Sequence, residues 1–383
     1  MRHALLTEHW FPQIGGSIQL FDGVYGRALP PGDFAHIIAG GPPGAELHDA
    51  TYPRPVTRFD DTRYTWMKPE SSLEYARMLA ATMRVCQRDR IEVLHCARVI
   101  PEGLVAMAVR RALGVPYTVW VHGEEVSIYA RFAVKKRLMP RVFAGARAVF
   151  VNSTFTQARA TLAGAAPEKT HVVHPAVDAA LFEGPFDTRD LAARWNTAGH
   201  TVILTVGRLT RRKGHDRMLR ALAQLRAQGA LGDAVWLVLS DGELEAELQA
   251  QCTKEGLDDV VRWVGPVRRD ELPRYYALAD VFAMPNRTLD DADVEGFGMV
   301  FLEAAAAGVP VIGGRSGGVA DAVDDGRNGV LVDGASVEAI ADALHAMLRD
   351  GERRRRMGDE GRRWARGFTW EAAAAKVRAH ALG

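Results

Sequence analysis

Short runs of aliphatic and β-branched residues alternate with amphipathic stretches along almost the whole chain. This alternation restricts the fold more than any other feature, because strand, helix, strand in succession pairs most simply as a parallel βαβ unit. The first half predicts strands at 3–7, 35–39, 93–95, 117–121, 148–152 and 170–174, with helices at 72–88, 102–113 and 136–145. After a looser stretch from Pro175, a second series predicts strands at 201–206, 234–239, 260–263, 281–284, 309–312 and 329–331. Helices at 215–228, 243–256, 271–279, 299–307 and 337–349 separate them. The fold class expected is α/β, with two Rossmann-like doubly wound domains. At 383 residues the chain is too long for one ordinary core. The domains expected are 1–180 and 181–368, with the Ala-rich helix of 369–383 packing back on the first.

Several function classes are excluded early. A net charge of +1 gives no global attraction to nucleic acid. Cys86, Cys96 and Cys252 show no metal-site spacing, and so sparse a set fits a reducing compartment. The first residues, MRHALLTEHWFP, are too polar for a signal peptide, and no run of about 18 apolar residues predicts a membrane span. A cytoplasmic protein is expected.

The richest stretch is DVEGFGMVFLEAAAAGVPVIGGRSGG, residues 293–318. Glu295 and Glu303 bracket a Gly-Phe-Gly turn that opens an apolar helix. The first amides of a helix lack partners within it and carry partial positive charge, so oxyanions and sugar hydroxyls dock there. Carboxylates in such apolar company need partners, which a polyhydroxylated ligand supplies. Read otherwise, Glu295 is a loop acid and Glu303 faces solvent.

Three further stretches follow strands. GRLTRRKG, 207–214, lacks the Walker spacing, but Arg208 and Lys213 can hold a diphosphate. Arg211 and Arg212 are expected to face solvent, and the whole turn also reads as an ordinary basic loop. FPQIGGS, 11–17, lets the backbone at Gly15 and Gly16 approach a ligand, or is a structural tight turn. His122, in HGEE, is either a core or capping histidine or a ligand contact. Asp291 and Asp293 form a DxD, read as solvated acid, so no metal is expected.

Taken together, FPxxGG, HGEE, GRLxxRKG, AMPNR, EGFGMVFLEAAAAG and SGG resemble glycosyltransferase family 4, in its order and spacing, from residue 1 to about 370. The 293–318 stretch is most similar to bacterial phosphatidylinositol mannoside mannosyltransferases. The resemblance implies the GT-B architecture, two facing Rossmann-like domains with a cleft, the first for acceptor and the second for donor. It implies that Gly15 and Gly16 border the diphosphate and the sugar. Arg208 and Lys213 would grip the diphosphate, and His122 would lie beside the reacting face. Glu295 and the amides of Phe297, Gly298, Met299 and Val300 would reach sugar and phosphate. Glu303 would bind ribose, and the backbone from Val264 to Val267 would read the base. Ser240-Asp241-Gly242 departs from the usual Gly-x-Gly, which puts the base-side contacts in question.

The implied reaction is retaining transfer of a hexose, preferably mannose from GDP-mannose, to a glycan or lipid-linked hydroxyl. No carboxylate is evident for attack from below, so front-face substitution without a metal cofactor is expected. Arg131, Lys135, Lys136, Arg137 and Arg141 around Phe132, Leu138 and Phe143 suggest peripheral contact with the cytoplasmic membrane face, or a plain solvated helix. A non-catalytic nucleotide-sugar sensor is the alternative. A dinucleotide oxidoreductase is disfavoured because residues 11–17 lack G-x-G-x-x-G.

Overall fold

The computed structural model describes residues 1–13, 15–30, 32–60, 72–128, 132–289 and 293–382. Asp290 and Asp291 of the acidic run, and Arg131 of the basic one, lie outside them. The chain divides into two compact units, Met1–Pro175 with Trp370–Gly383, and Ala176–Thr369.

The first unit is built on a seven-stranded sheet in the order β3-β2-β1-β4-β5-β6-β7. Its strands are β1 Arg2–Thr7, β2 Phe34–Gly40, β3 Val56–Phe59, β4 Val93–Cys96, β5 Tyr117–Val121, β6 Val149–Val151 and β7 Thr170–Val172. All neighbours run parallel. The central strands are buried on both faces, which is why they read as continuous apolar runs without a period of two. β3 escapes sequence reading for the opposite reason. It is a short edge strand, VTRF, and only Phe59 is buried. Its Arg58 nonetheless reaches inward. The guanidinium pairs with Asp49 and donates to the carbonyls of Gly40 at 2.6 Å and Phe11 at 2.7 Å. An unpredicted strand thus ties down the loop after β1. The helix Trp370–Leu382 packs in this unit, with His380 stacked on His171 at 3.5 Å and Arg378 bonded to Asp33 at 2.9 Å.

The second unit carries a six-stranded parallel sheet in the order β10-β9-β8-β11-β12-β13. Its strands are β8 Val202–Val206, β9 Val235–Leu239, β10 Val261–Gly265, β11 Val281–Met284, β12 Val311–Gly314 and β13 Gly329–Val332. β12 begins two residues later than the hydrophobic run suggests. The amide of Val309 is spent closing the preceding helix onto Ala304, beyond left-handed Gly308, and Pro310 has no N–H for the ladder.

In each sheet the winding direction reverses once, between β1 and β4 and between β8 and β11. Open α/β sheets bind ligands at the carboxyl ends of the strands flanking such a reversal. The loops after β1, β8 and β11 carry Gly15, Lys213 and Asn286.

The basic helix Ala133–Gly145 needs correction. Lys135 and Phe143 are buried, so they form no part of a surface patch. Phe132, Val134, Lys136, Arg137 and Arg141 are exposed. No helix among the described residues is long and apolar enough to cross a membrane.

Candidate active site

Lys213 ends a one-turn 3-10 helix, Arg211–Lys213, that follows β8. Its ammonium is buried and donates to Glu295 Oε2 at 2.5 Å. The same oxygen accepts from Asn286 Nδ2 at 3.1 Å and Arg212 Nη1 at 2.8 Å. Burial alone would push the Glu295 carboxyl up, but the Lys213 and Arg212 charges outweigh it and hold it below the usual range. Burial lowers the Lys213 pKa, with Glu295 opposing. The pair is therefore a largely buried ion pair at the carboxyl end of the sheet, where a charge without a partner would be costly.

Arg212 was expected in solvent and is not there. Its side chain is only 26% exposed, with Nη1 on Glu295 and Nε 3.2 Å from Asp293 Oδ1. Asp293 is likewise engaged, not simply solvated. Arg211 does lie at the surface, paired with Glu247. Arg208 is exposed, and its side chain makes no hydrogen bond or ion pair among the described residues.

The helix Met299–Ala307 starts at Gly298, whose φ of 90° is left-handed. A Cβ there would stand 2.5 Å from the Phe301 ring. Glycine is thus demanded twice, and the amides of Met299 and Val300 open the helix just after Glu295. Phe297 is buried in the apolar core, leaving only its backbone for a ligand. Glu303 faces inward and is 4% exposed. Its Oε2 accepts from the Tyr276 hydroxyl at 2.9 Å, with Val300 O a weaker alternative at 3.3 Å. Burial raises the Glu303 pKa, against Arg269 and Tyr276. Tyr276→Phe is expected to cost about 1–3 kcal/mol, because a buried carboxylate loses its donor. Urea unfolding measures this, and an unchanged midpoint would reject the bond.

His215 opens the helix His215–Ala227, two residues after Lys213, and is 2% exposed. Burial, then the Lys213 charge, push its pKa from 6.5 down to about 3. The folded value lies below the unfolded one, so neutral His215 contributes stability above pH 6.5 that drains away as pH falls toward about 3. Urea midpoints are expected to drop between about pH 7 and pH 4.5, and less so in His215→Leu. An equal drop in both proteins would refute the assignment.

Val264 and Val267 sit at the end of β10 and just beyond, half-buried against the core. The Gly265 carbonyl there accepts from the Ser240 amide at 2.8 Å. Ser240 holds φ 120°, a conformation that favours glycine, so the departure from Gly-x-Gly keeps the turn but strains it. Two surface cavities of the second unit, about 300 and 400 Å³, are lined by residues such as Trp364 and Arg366 and share none with the Lys213–Glu295 cluster.

In the first unit, Gly15 caps the helix Gly16–Phe21 with extended backbone, φ 177°. A Cβ would meet only Ile18, at 4.0 Å. Among the described residues, none stands where a Cβ at Gly15 would clash. Gly16 is exposed. His122 follows β5 and is half-buried. Its amide donates to Glu125 Oε2 at 2.8 Å, its carbonyl accepts from Asn152 at 3.2 Å, and Nε2 lies 3.0 Å from the Ala97 carbonyl. A carbonyl only accepts, so that contact places a proton on Nε2.

Lys213, Glu295 and the start of the 299–307 helix are therefore brought together, with Glu303 on the same helix. Gly15, Gly16 and His122 belong to the other unit. Sequence reasoning missed Asn286, Tyr276 and Arg212 as partners. Only Asn286 carried a signal, as a polar residue two positions beyond a buried strand.

Residues 188–364 match the family described as Glycosyl transferases group 1, and residues 31–181 match Glycosyltransferase Family 4. The chain is 33% identical over 384 aligned residues, 98% of its length and 97% of the relative's, to a GDP-mannose-dependent alpha-(1-6)-phosphatidylinositol monomannoside mannosyltransferase of Mycobacterium tuberculosis. The chain belongs to glycosyltransferase family 4. This family 4 glycosyltransferase is also similar in fold to Anabaena HepE in complex with UDP, with TM-score 0.82, 20% identity and 99% of each chain covered. Sucrose-phosphate synthase from Thermosynechococcus elongatus aligns with TM-score 0.79 at 22% identity, over 99% of this chain and 97% of that one. These likenesses give the fold, GT-B. As a family 4 glycosyltransferase the protein is a hexosyltransferase enzyme.

Proposed function

We propose that the enzyme transfers mannose from GDP-mannose to a hydroxyl of a glycan or lipid-linked acceptor, with retention and without a metal. The observation that carries this is the largely buried Lys213–Glu295 pair beside the amides that open the 299–307 helix. It puts a cation suited to phosphate next to an acid suited to sugar hydroxyls. GDP-mannose is favoured over uridine donors because the full-length 33% relative is named for it, whereas the UDP-bound neighbour is only 20% identical.

In this reading Lys213 and Arg208 hold the diphosphate, and Glu295 and the amides of Phe297, Gly298, Met299 and Val300 hold the sugar. Glu303 takes the ribose hydroxyls, and the backbone from Val264 to Val267 takes the base. Gly15, Gly16 and His122 are the first unit's contribution to phosphate and sugar binding. The C1–O bond to the diphosphate breaks through an oxocarbenium-like state, and its electron pair leaves with the phosphate. The acceptor oxygen bonds C1 on the same face, and its proton passes to the departing phosphate oxygen. Fixed cations stabilise that oxyanion most, since they need no reorganisation as charge develops.

The test is a panel of nucleotide sugars screened for thermal stabilisation, then for release of the nucleotide with and without EDTA. GDP-mannose is expected to stabilise the protein most and to be consumed in EDTA. Stabilisation without turnover would favour a binding role, and a strict need for Mg²⁺ or Mn²⁺ would overturn metal independence.

A cytoplasmic location with peripheral membrane contact completes the proposal. Phe132 and Val134 are 53% and 54% exposed beside Lys136, Arg137 and Arg141. Binding to anionic but not neutral vesicles is expected, and should fall in Lys136→Glu/Arg137→Glu. Equal flotation of both proteins would sink it.

A further inference from the structure

Arg212 is absent from the roles above, yet it is anchored on two acids. Its guanidinium is shared between two acids, Nη1 on Glu295 Oε2 at 2.8 Å and Nε on Asp293 Oδ1 at 3.2 Å. Its carbonyl accepts from the Arg287 amide at 2.9 Å. Arg287 is itself fastened to both oxygens of Asp216, at 2.7 and 3.1 Å. Backbone and side chain are therefore both anchored.

Glu295 is used unevenly. Oε2 collects the donors from Arg212, Lys213 and Asn286, and among the described residues none reaches Oε1. The two cations on Oε2 are not interchangeable. An ammonium on a flexible stem can turn toward an arriving phosphate oxygen, whereas a planar fork pinned by a second acid keeps its direction. Once Lys213 turns to phosphate, Arg212 and Asn286 still hold Oε2.

We propose that Arg212 is a positioning residue that fixes the Glu295 carboxylate through Oε2, so that Oε1 is presented to the hydroxyls of the transferred hexose, and that it thereby sets discrimination among hexoses. The inference rests on the sugar-binding reading of Glu295. An acceptor held in place for a hydroxyl, and closed off from water when the sugar binds, rejects analogues that lack it, because it is then left without its partner. A carboxylate free to rotate loses that discrimination along with rate.

The test uses Arg212→Ala, Arg212→Lys and Asp293→Asn, each checked for folding by thermal unfolding. GDP release is followed with GDP-mannose and with analogues that each lack one mannose hydroxyl, and GDP binding is measured alone. Arg212→Ala is expected to lower kcat by about 30- to 100-fold through misplacement of Glu295. GDP affinity should stay within about threefold, since phosphate contacts remain. The preference for mannose over the deoxy analogues should shrink by about tenfold. Arg212→Lys should recover part of the rate, and Asp293→Asn, which keeps the guanidinium but frees it, should move kcat and preference the same way. Unchanged rate and preference in Arg212→Ala overturn the inference. So does a loss of GDP binding with kcat intact, which would make Arg212 a phosphate ligand. Should Arg212→Ala fail to fold, Asp293→Asn decides by the same readouts. A wild-type protein that releases nucleotide from no donor overturns the functional reading itself, an outcome distinct from an active wild type with an equally selective variant.

Discussion

Lys213→Ala is expected to lower turnover about 100-fold or more while the protein stays folded. Removing one well-placed oxyanion donor costs about 2.7–4 kcal/mol. Charges about 4 Å apart at an effective dielectric of 20 interact by about 4 kcal/mol, so the two routes agree. The variant keeps its fold because Arg212 and Asn286 remain on Glu295 after the ammonium is gone. Arg208→Ala should cost a similar factor for the leaving group, and with less structural penalty, since its side chain is exposed and engages no neighbour among the described residues. Initial rates of nucleotide release with GDP-mannose, beside thermal unfolding, separate catalysis from stability. Turnover within about threefold of wild type in both variants would remove the diphosphate assignment, because the oxyanion estimate leaves no room for it.

Gly317→Ala is expected to damage stability and site together. Gly317 holds φ +59°, and a Cβ would stand 2.0 Å from the Glu295 carbonyl oxygen. That carbonyl also accepts from the Gly318 amide at 2.8 Å. The methyl group must therefore push away the segment that carries Glu295 or break its turn. The clash is with backbone, which cannot rotate aside, so a loss of about 3 kcal/mol is expected. In a unit of this size that lowers Tm by about 6–12 °C. Gly326→Ala is the control: Gly326 holds φ +83° with nothing within 4 Å. It should cost only about 1 kcal/mol, the price of a left-handed alanine. Calorimetric melting of the two variants compares them, and equal Tm shifts would mean that the Glu295 contact contributes nothing.

Elements were legible where composition and burial coincide. The apolar run of β8 and the glycine-closed helix 299–307 carry their own start, period and stop. β3 was not legible, because an edge strand with one buried residue has no pattern strong enough to stand out from a loop. At the site, Lys213, Glu295 and Glu303 could be picked out as charges placed where charge is costly. Arg212 was misread because its sequence neighbours, Arg211 and Thr210, look like any solvated basic turn.

The sequence by itself determined the succession of strands and helices, the glycine-opened helix that offers its amides, and the acids beside it. These are local matters, settled by residues within a turn or two of one another. Only the tertiary structure decided which side chains meet. Arg212 and Glu295 stand 83 positions apart, and Tyr276 and Glu303 stand 27 apart. The first pair meets because β11 lies against β8, which brings the loops beyond both strands to one end of the sheet. That adjacency comes from packing the whole unit, and no local run of residues encodes it.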